Sequence, residues 1–173
     1  FKALQLATSR GIHCVAAAGN GYSNLDDPKY QNLFDLSVRD SGCILVGAVD
    51  SPKSSRVRQR SDFSNYGKRV DAYGYGGDVV TTGYGDLFAG DYQGRLATYT
   101  SEFSGTSSAT PIVAGAVASV LGVAKAKGVL LTPTQLRDAL RATGTAQEGA
   151  NKASENVGTM PNIPQILTYL NMN

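Results

Sequence analysis

Apolar residues open the chain at Phe1, Leu4 and Ala7/Thr8, a helical spacing, and Gly11 follows where a left-handed C-terminal residue is expected. Ile12 to Ala17 then runs apolar without alternation, which predicts a strand covered on both faces. Residues 20–42 are polar, rich in Asn and Asp, and irregular, and Cys43 to Val49 reads as a second buried strand. After the loop SPKSSRVRQR, residues 51–60, short strands are predicted at Asp62–Ser64, Arg69–Tyr73 and Val79–Thr82, separated by Gly and Asn-Tyr-Gly turns. Gly83 to Phe103 reads as a hairpin-like excursion with Gly90 and Gly94 near its tip.

A long helix is predicted over about Ser108–Lys127, with Pro111 in its first turn, where a missing N–H costs nothing. Its Ala109, Ala114, Gly115, Ala116 and Ala118 permit close approach to neighbouring backbone. A second helix is signalled by Thr132-Pro133-Thr134-Gln135, with Thr132 as N-cap and Gln135 completing a capping box. Leu136 and Leu140 form its apolar stripe and Gly144 ends it; a last short helix covers about Ile163–Leu170. Helix, strand, loop and strand in succession, with strands apolar on both faces, predict an α/β fold with a partial doubly wound, mainly parallel sheet and flanking helices.

Composition changes this picture little. At 173 residues, 42% of them hydrophobic, the chain is long enough for one domain with a real core. A net charge of +2 gives no reason to expect a nucleic acid or a membrane as partner. No apolar run reaches the roughly 18 residues of a membrane span before Arg, Lys, Asp or Gly interrupts it. The opening FKALQLATSRG lacks the apolar core of a signal peptide and begins inside a helix, so the chain reads as a piece of something longer. Cys14 and Cys43 fall in the two apolar strands, as buried thiols or as a bridge between neighbouring strands; with a single histidine they make a poor zinc site.

Candidate chemistry sits in two stretches. In GTSSATPIVAGAVA, residues 105–118, Ser107 stands where an irregular approach meets a helix N-terminus. Free N–H groups and the helix dipole there favour developing negative charge, although Ser107 or Ser108 would also serve as an ordinary N-cap. In VAAAGN, residues 15–20, an apolar strand ends in Gly19-Asn20 at the carboxyl edge of a parallel sheet, where Asn20 is either an amide donor or a turn residue. The core GYGGDV, residues 74–79, lacks the third glycine of a nucleotide loop, and Lys53, Arg56, Arg58 and Arg60 read as a solvated loop.

Together the two stretches resemble the nucleophile motif and the oxyanion-asparagine motif of the subtilisin-like serine proteases, in that family's order. CILVGAVDS, DFSNYGKRVDAYG, LTPTQLRDALRATG and GTMPNIPQIL resemble the family's intervening and closing segments, so the likeness runs nearly the whole chain. The resemblance implies that Ser107 is the nucleophile, that Ser108 is no catalyst, and that Asn20 with the Ser107 N–H forms the oxyanion hole. It implies that Ala16, Ala17, Ala18 and Gly19 line part of the pocket for the side chain before the scissile bond. It also places Asp71 where some relatives hold a weak structural calcium, an exposed strand-end Asp being the plainer reading. The chemistry itself requires no cofactor. Asp35 and Asp40 fall in the loop that would close the specificity pocket, where either would favour basic side chains.

The family orders its triad Asp, His, Ser, yet only 19 residues precede Asn20 here, with no Asp among them. His13 lies seven residues before Asn20 on one strand, roughly 20 Å away at about 3.3 Å per residue, too far to act as base. The chain therefore reads as the C-terminal half of a subtilisin-like peptidase domain. Its expected partners are the N-terminal half, as a separate or cleaved chain, a peptide or protein substrate, and a pro-segment; the family's habits imply secretion. The rival reading is a non-catalytic remnant that serves as a binding or assembly module.

Overall fold

Alternation along the second strand builds the centre of the molecule. In the computed structural model, which describes residues 1–90 and 97–173, β2 (Ile44–Val49) sends Ile44, Val46 and Ala48 to one side of a sheet. Leu45 and Val49 point to the other, each side meeting its own apolar cluster. The sheet has the order β1-β2-β3-β8-β7, from β1 (Val15–Ala17), β3 (Ala72–Tyr75), β7 (Thr145–Ala146) and β8 (Thr159–Met160). β1, β2, β3 and β8 run parallel, and β7 closes one edge antiparallel.

One face carries α2 (Thr106–Ala126), whose Ala109, Val113, Val117, Val120 and Ala124 are buried against the sheet. α3 (Pro133–Thr143) and α4 (Ile163–Tyr169) add Leu136, Leu140 and Ile166 to the same cluster. Each such buried aliphatic contributes about 1.5–3 kcal/mol. The opposite face carries α1 (Lys2–Ser9), whose Leu4 borders a cavity with Ala16, Cys43 and Leu45. Helices on both faces of a mainly parallel sheet make the fold α/β, as the pattern predicted. A second, antiparallel sheet of order β4-β6-β5 is built from β4 (Val79–Thr82), β5 (Phe88–Ala89) and β6 (Thr98–Phe103). β5 and β6 fall within the predicted excursion; Gly94, expected near its tip, lies outside the described residues.

Several boundaries move. The strand expected over Ile12–Ala17 begins at Val15, because pairing starts at Val15 opposite Ile44 and Ile12 stays exposed. Nor is it covered on both faces, since Ala17 is exposed. Asp62–Ser64 is a turn closed by the Ser64 N–H on the Ser61 carbonyl, and the next strand starts at Ala72 because Gly67–Val70 turns first. α2 begins at Thr106, two residues early, so Pro111 lies inside the helix rather than in its first turn. The Thr110 hydroxyl bonds the Thr106 carbonyl at 2.7 Å just before it. Counted through its glycines, α2 is long and apolar enough to cross a membrane, with a mean hydropathy of 1.6; a third of that stretch is buried in this fold. The capping box of α3 forms as predicted, Thr132 accepting from the Gln135 N–H.

Candidate active site

Close packing of α2 on the sheet sets the position of Ser107. A Cβ on Gly74 of β3 would lie 2.6 Å from the Ala109 carbonyl oxygen, so only glycine lets the first turn of α2 come this near. The chain enters the helix from β6 through Gly105, whose φ of 100° belongs to the left-handed region and whose N–H bonds the Gly76 carbonyl at 2.9 Å. Ser107 is the second helical residue and exposed, and among the described residues its N–H finds no acceptor.

The helix cap comes from another strand. Gly105 offers no side chain, and neither Ser107 nor Ser108 is the N-cap. Asn20 supplies the cap from the end of β1: its Oδ1 accepts the Thr106 N–H at 2.9 Å and the Thr106 hydroxyl at 2.8 Å. The Thr106 hydroxyl accepts the Gly19 N–H at 3.2 Å in turn. With the oxygen committed to the helix, the amide Nδ2 of Asn20 lies beside Gly105, 3.1 Å from where a Cβ would stand. Asn20 Nδ2, beside Gly105, and the Ser107 N–H are thus both donors at the start of α2.

Two residues the motifs did not single out hold this geometry. Thr106, 1% exposed, bridges Gly19 and Asn20. Asn65 donates to the Ala18 carbonyl at 2.7 Å and accepts from the Gly21 and Ser23 N–H groups, while its own N–H bonds the Gly19 carbonyl. Its place in the Asn-Tyr-Gly turn was the one signal available. Ser108 is fully buried, and among the described residues its hydroxyl has no partner.

The other candidates separate. Ala16 and Ala18 face the α1 side of the sheet, Ala16 lining an apolar cavity of about 260 Å³ with Phe1, Leu4, Phe34, Cys43 and Leu45. Ala17 lies on the α2 side by alternation and is exposed. His13 sits against Leu121, Ala124 and Leu131, with Nε2 3.1 Å from the Leu131 carbonyl. That is the far end of α2, at least about 20 Å from Ser107 at 1.5 Å per helical residue. Burial lowers its pKa below the ordinary value, keeping it neutral there.

Asp71 is neither an exposed strand end nor a fitting calcium ligand. It is wholly buried: Oδ1 accepts from Arg141 at 2.6 Å, and Oδ2 accepts the Leu45 N–H at 2.8 Å and bonds Arg69. Two guanidinium groups already neutralise the carboxylate, so a cation there would meet their charge. Among the described residues no three His, Cys, Asp or Glu side chains cluster to hold a metal. Asp40 is likewise committed, paired with both terminal nitrogens of the buried Arg137, which holds its carboxyl below the usual range. The basic loop is not simply solvated either. Arg60 is buried, bonds Glu155 at 2.9 Å and stacks on Tyr22 and Tyr66, bordering a polar cavity of about 560 Å³ away from Ser107.

A sequence profile of the Subtilase family matches residues 2–159. The chain belongs to that family. Subtilisin BL of Lederbergia lenta is 35% identical over 151 residues, covering 87% of this subtilase chain and 45% of that protein. An extracellular protease of Xanthomonas campestris pv. campestris is 34% identical over 148 residues, covering 86% of this chain and 22% of its own length. The chain thus spans less than half of these relatives. Among solved structures, the patellamide maturation protease PatA superimposes with a TM-score of 0.70 at 23% identity, over 98% of this chain and 55% of that one. At that identity the superposition speaks for the fold alone.

Proposed function

We propose that this chain is the nucleophile-bearing half of a subtilisin-like serine endopeptidase. The observation that supports the reading best is the Asn20–Thr106 lock, which caps the start of α2 through Asn20 Oδ1 and leaves Asn20 Nδ2 beside Gly105, two residues before Ser107. Ser107 attacks the scissile carbonyl, Asn20 Nδ2 and the Ser107 N–H hold the oxyanion, and the backbone of Ala16–Ala18 with Gly19 forms one wall of the pocket for the preceding side chain. The base is a His, oriented by an Asp, from an N-terminal half of the same domain, as a separate or cleaved chain; His13 is too far away. Acyl transfer of this kind needs no cofactor. The substrate is a peptide or protein, and a pro-segment belongs upstream. Family members named for an extracellular protease support export of the assembled enzyme.

Two surfaces support the missing half. β1 is the edge strand of the sheet, and the outer face of α2 leaves Pro111, Ile112, Gly115, Ala118 and Gly122 exposed. Co-expression of the chain with an upstream half carrying the Asp and His tests the reading. Peptide hydrolysis that vanishes in Ser107→Ala is expected; hydrolysis that survives that change, or a folded complex without hydrolysis, contradicts it.

A further inference from the structure

The chain's two cysteines are free thiols, each one residue before one of two adjacent strands, β1 and β2. β1 and β2 run parallel with Val15 opposite Ile44 and Ala16 opposite Leu45, and the Ile44 N–H bonds the Cys14 carbonyl at 2.9 Å. The residues one position earlier, Cys14 and Cys43, are therefore side by side. Neighbouring strands lie about 4.8 Å apart, inside the roughly 4.4–6.8 Å between Cα atoms that a disulfide spans. Both side chains also leave the sheet on one side. Cys43 lines the α1-side cavity together with Ala16 and Leu45, and Cys14, two residues before Ala16, shares that face.

We propose that Cys14 and Cys43 close into a disulfide that ties the edge strand to β2, with a low-molecular-weight disulfide such as oxidised glutathione as the oxidant. Cys14, just before the edge strand, is half-buried, whereas Cys43 is 2% exposed, so Cys14 reacts first. Its thiolate attacks oxidised glutathione and displaces one glutathione thiolate. The Cys43 thiolate then attacks the Cys14 sulfur and displaces the second. Both protons lost by the cysteines end on the two glutathione thiols, and the two electrons reduce the glutathione disulfide. Burial pushes the Cys43 thiol up to about 11, which makes the second exchange the slower one. The ring so closed contains Ala16–Asn20 and the irregular segment to Gly42, whose freedom in the unfolded chain it removes.

The test does not depend on proteolytic activity. The protein, purified natively with any polypeptide that accompanies it, is equilibrated with oxidised glutathione, quenched in acid, denatured, treated with N-ethylmaleimide and weighed intact. The expected product lacks two hydrogens, takes up no maleimide and yields a peptide linking Cys14 to Cys43. Its melting temperature is higher than that of the dithiothreitol-reduced protein, and the rise is absent in Cys14→Ala. Two maleimide adducts, glutathione held on both cysteines, or a disulfide between two chains would overturn the proposal, and each is read on the unmodified sequence even if the variant fails to fold.

Discussion

Asn20 caps α2, and in the proposed function it is also the oxyanion donor; one substitution can separate the two. Asn20→Asp keeps an oxygen for the Thr106 N–H and hydroxyl and adds negative charge at a helix N-terminus, but loses the amide donors. Asn20→Ala loses both. In the assembled enzyme both changes are expected to lower turnover by about 10²–10³ or more, a scale taken from the oxyanion asparagine of subtilisin itself rather than from this geometry. Only Asn20→Ala should also lower stability, by about 1 kcal/mol for the lost cap. Equal melting temperatures for the two variants would refute the shared role. Asp71→Asn should destabilise by about 3–5 kcal/mol, because Arg69 is left buried without its counter-charge. Adding calcium should leave the wild-type melting temperature unchanged on account of this residue; a calcium-dependent rise abolished by Asp71→Asn would reinstate the cation site.

Ser107 and Asn20 could be read from the chain because each sits in a short motif whose neighbours set its backbone position. Thr106, Asn65 and the Arg141 partner of Asp71 could not. Their meaning comes from contacts 86, 47 and 70 positions away, which no local pattern encodes.

At the scale of elements, apolar runs and capping signals found the helices and the central strands, while boundaries failed where a distant partner decides them. β1 begins where β2 offers pairing, and α2 begins where Asn20 caps it. Gly74 on β3 packs tightly against the Ala109 backbone, and this joint makes a prediction for the element as a whole. Gly74→Ala must push α2 away from the sheet, because the obstacle is a carbonyl oxygen and not a flexible side-chain end. The expected cost is about 1–3 kcal/mol in stability, with Ser107 displaced from Asn20. A thermal melt indistinguishable from wild type would mean that the helix is not held this closely.

Across the whole molecule, β1 is the edge strand of the sheet and α2 has an apolar outer face, and on the proposed reading an N-terminal half packs against both. Sedimentation of the chain alone should show self-association or aggregation, and addition of the upstream half should replace it with one defined heterodimer. A stable, cooperatively melting monomer would contradict this. The proposed second half and the proposed nucleophile are tested together by intact-mass analysis of the natively purified protein before and after a fluorophosphonate probe, with Ser107→Ala alongside. A second polypeptide in the sample and one probe adduct on this chain, lost in Ser107→Ala, is the predicted result. A second polypeptide bound but no adduct, or an adduct that persists in Ser107→Ala, would contradict the assignment of Ser107 as an activated nucleophile.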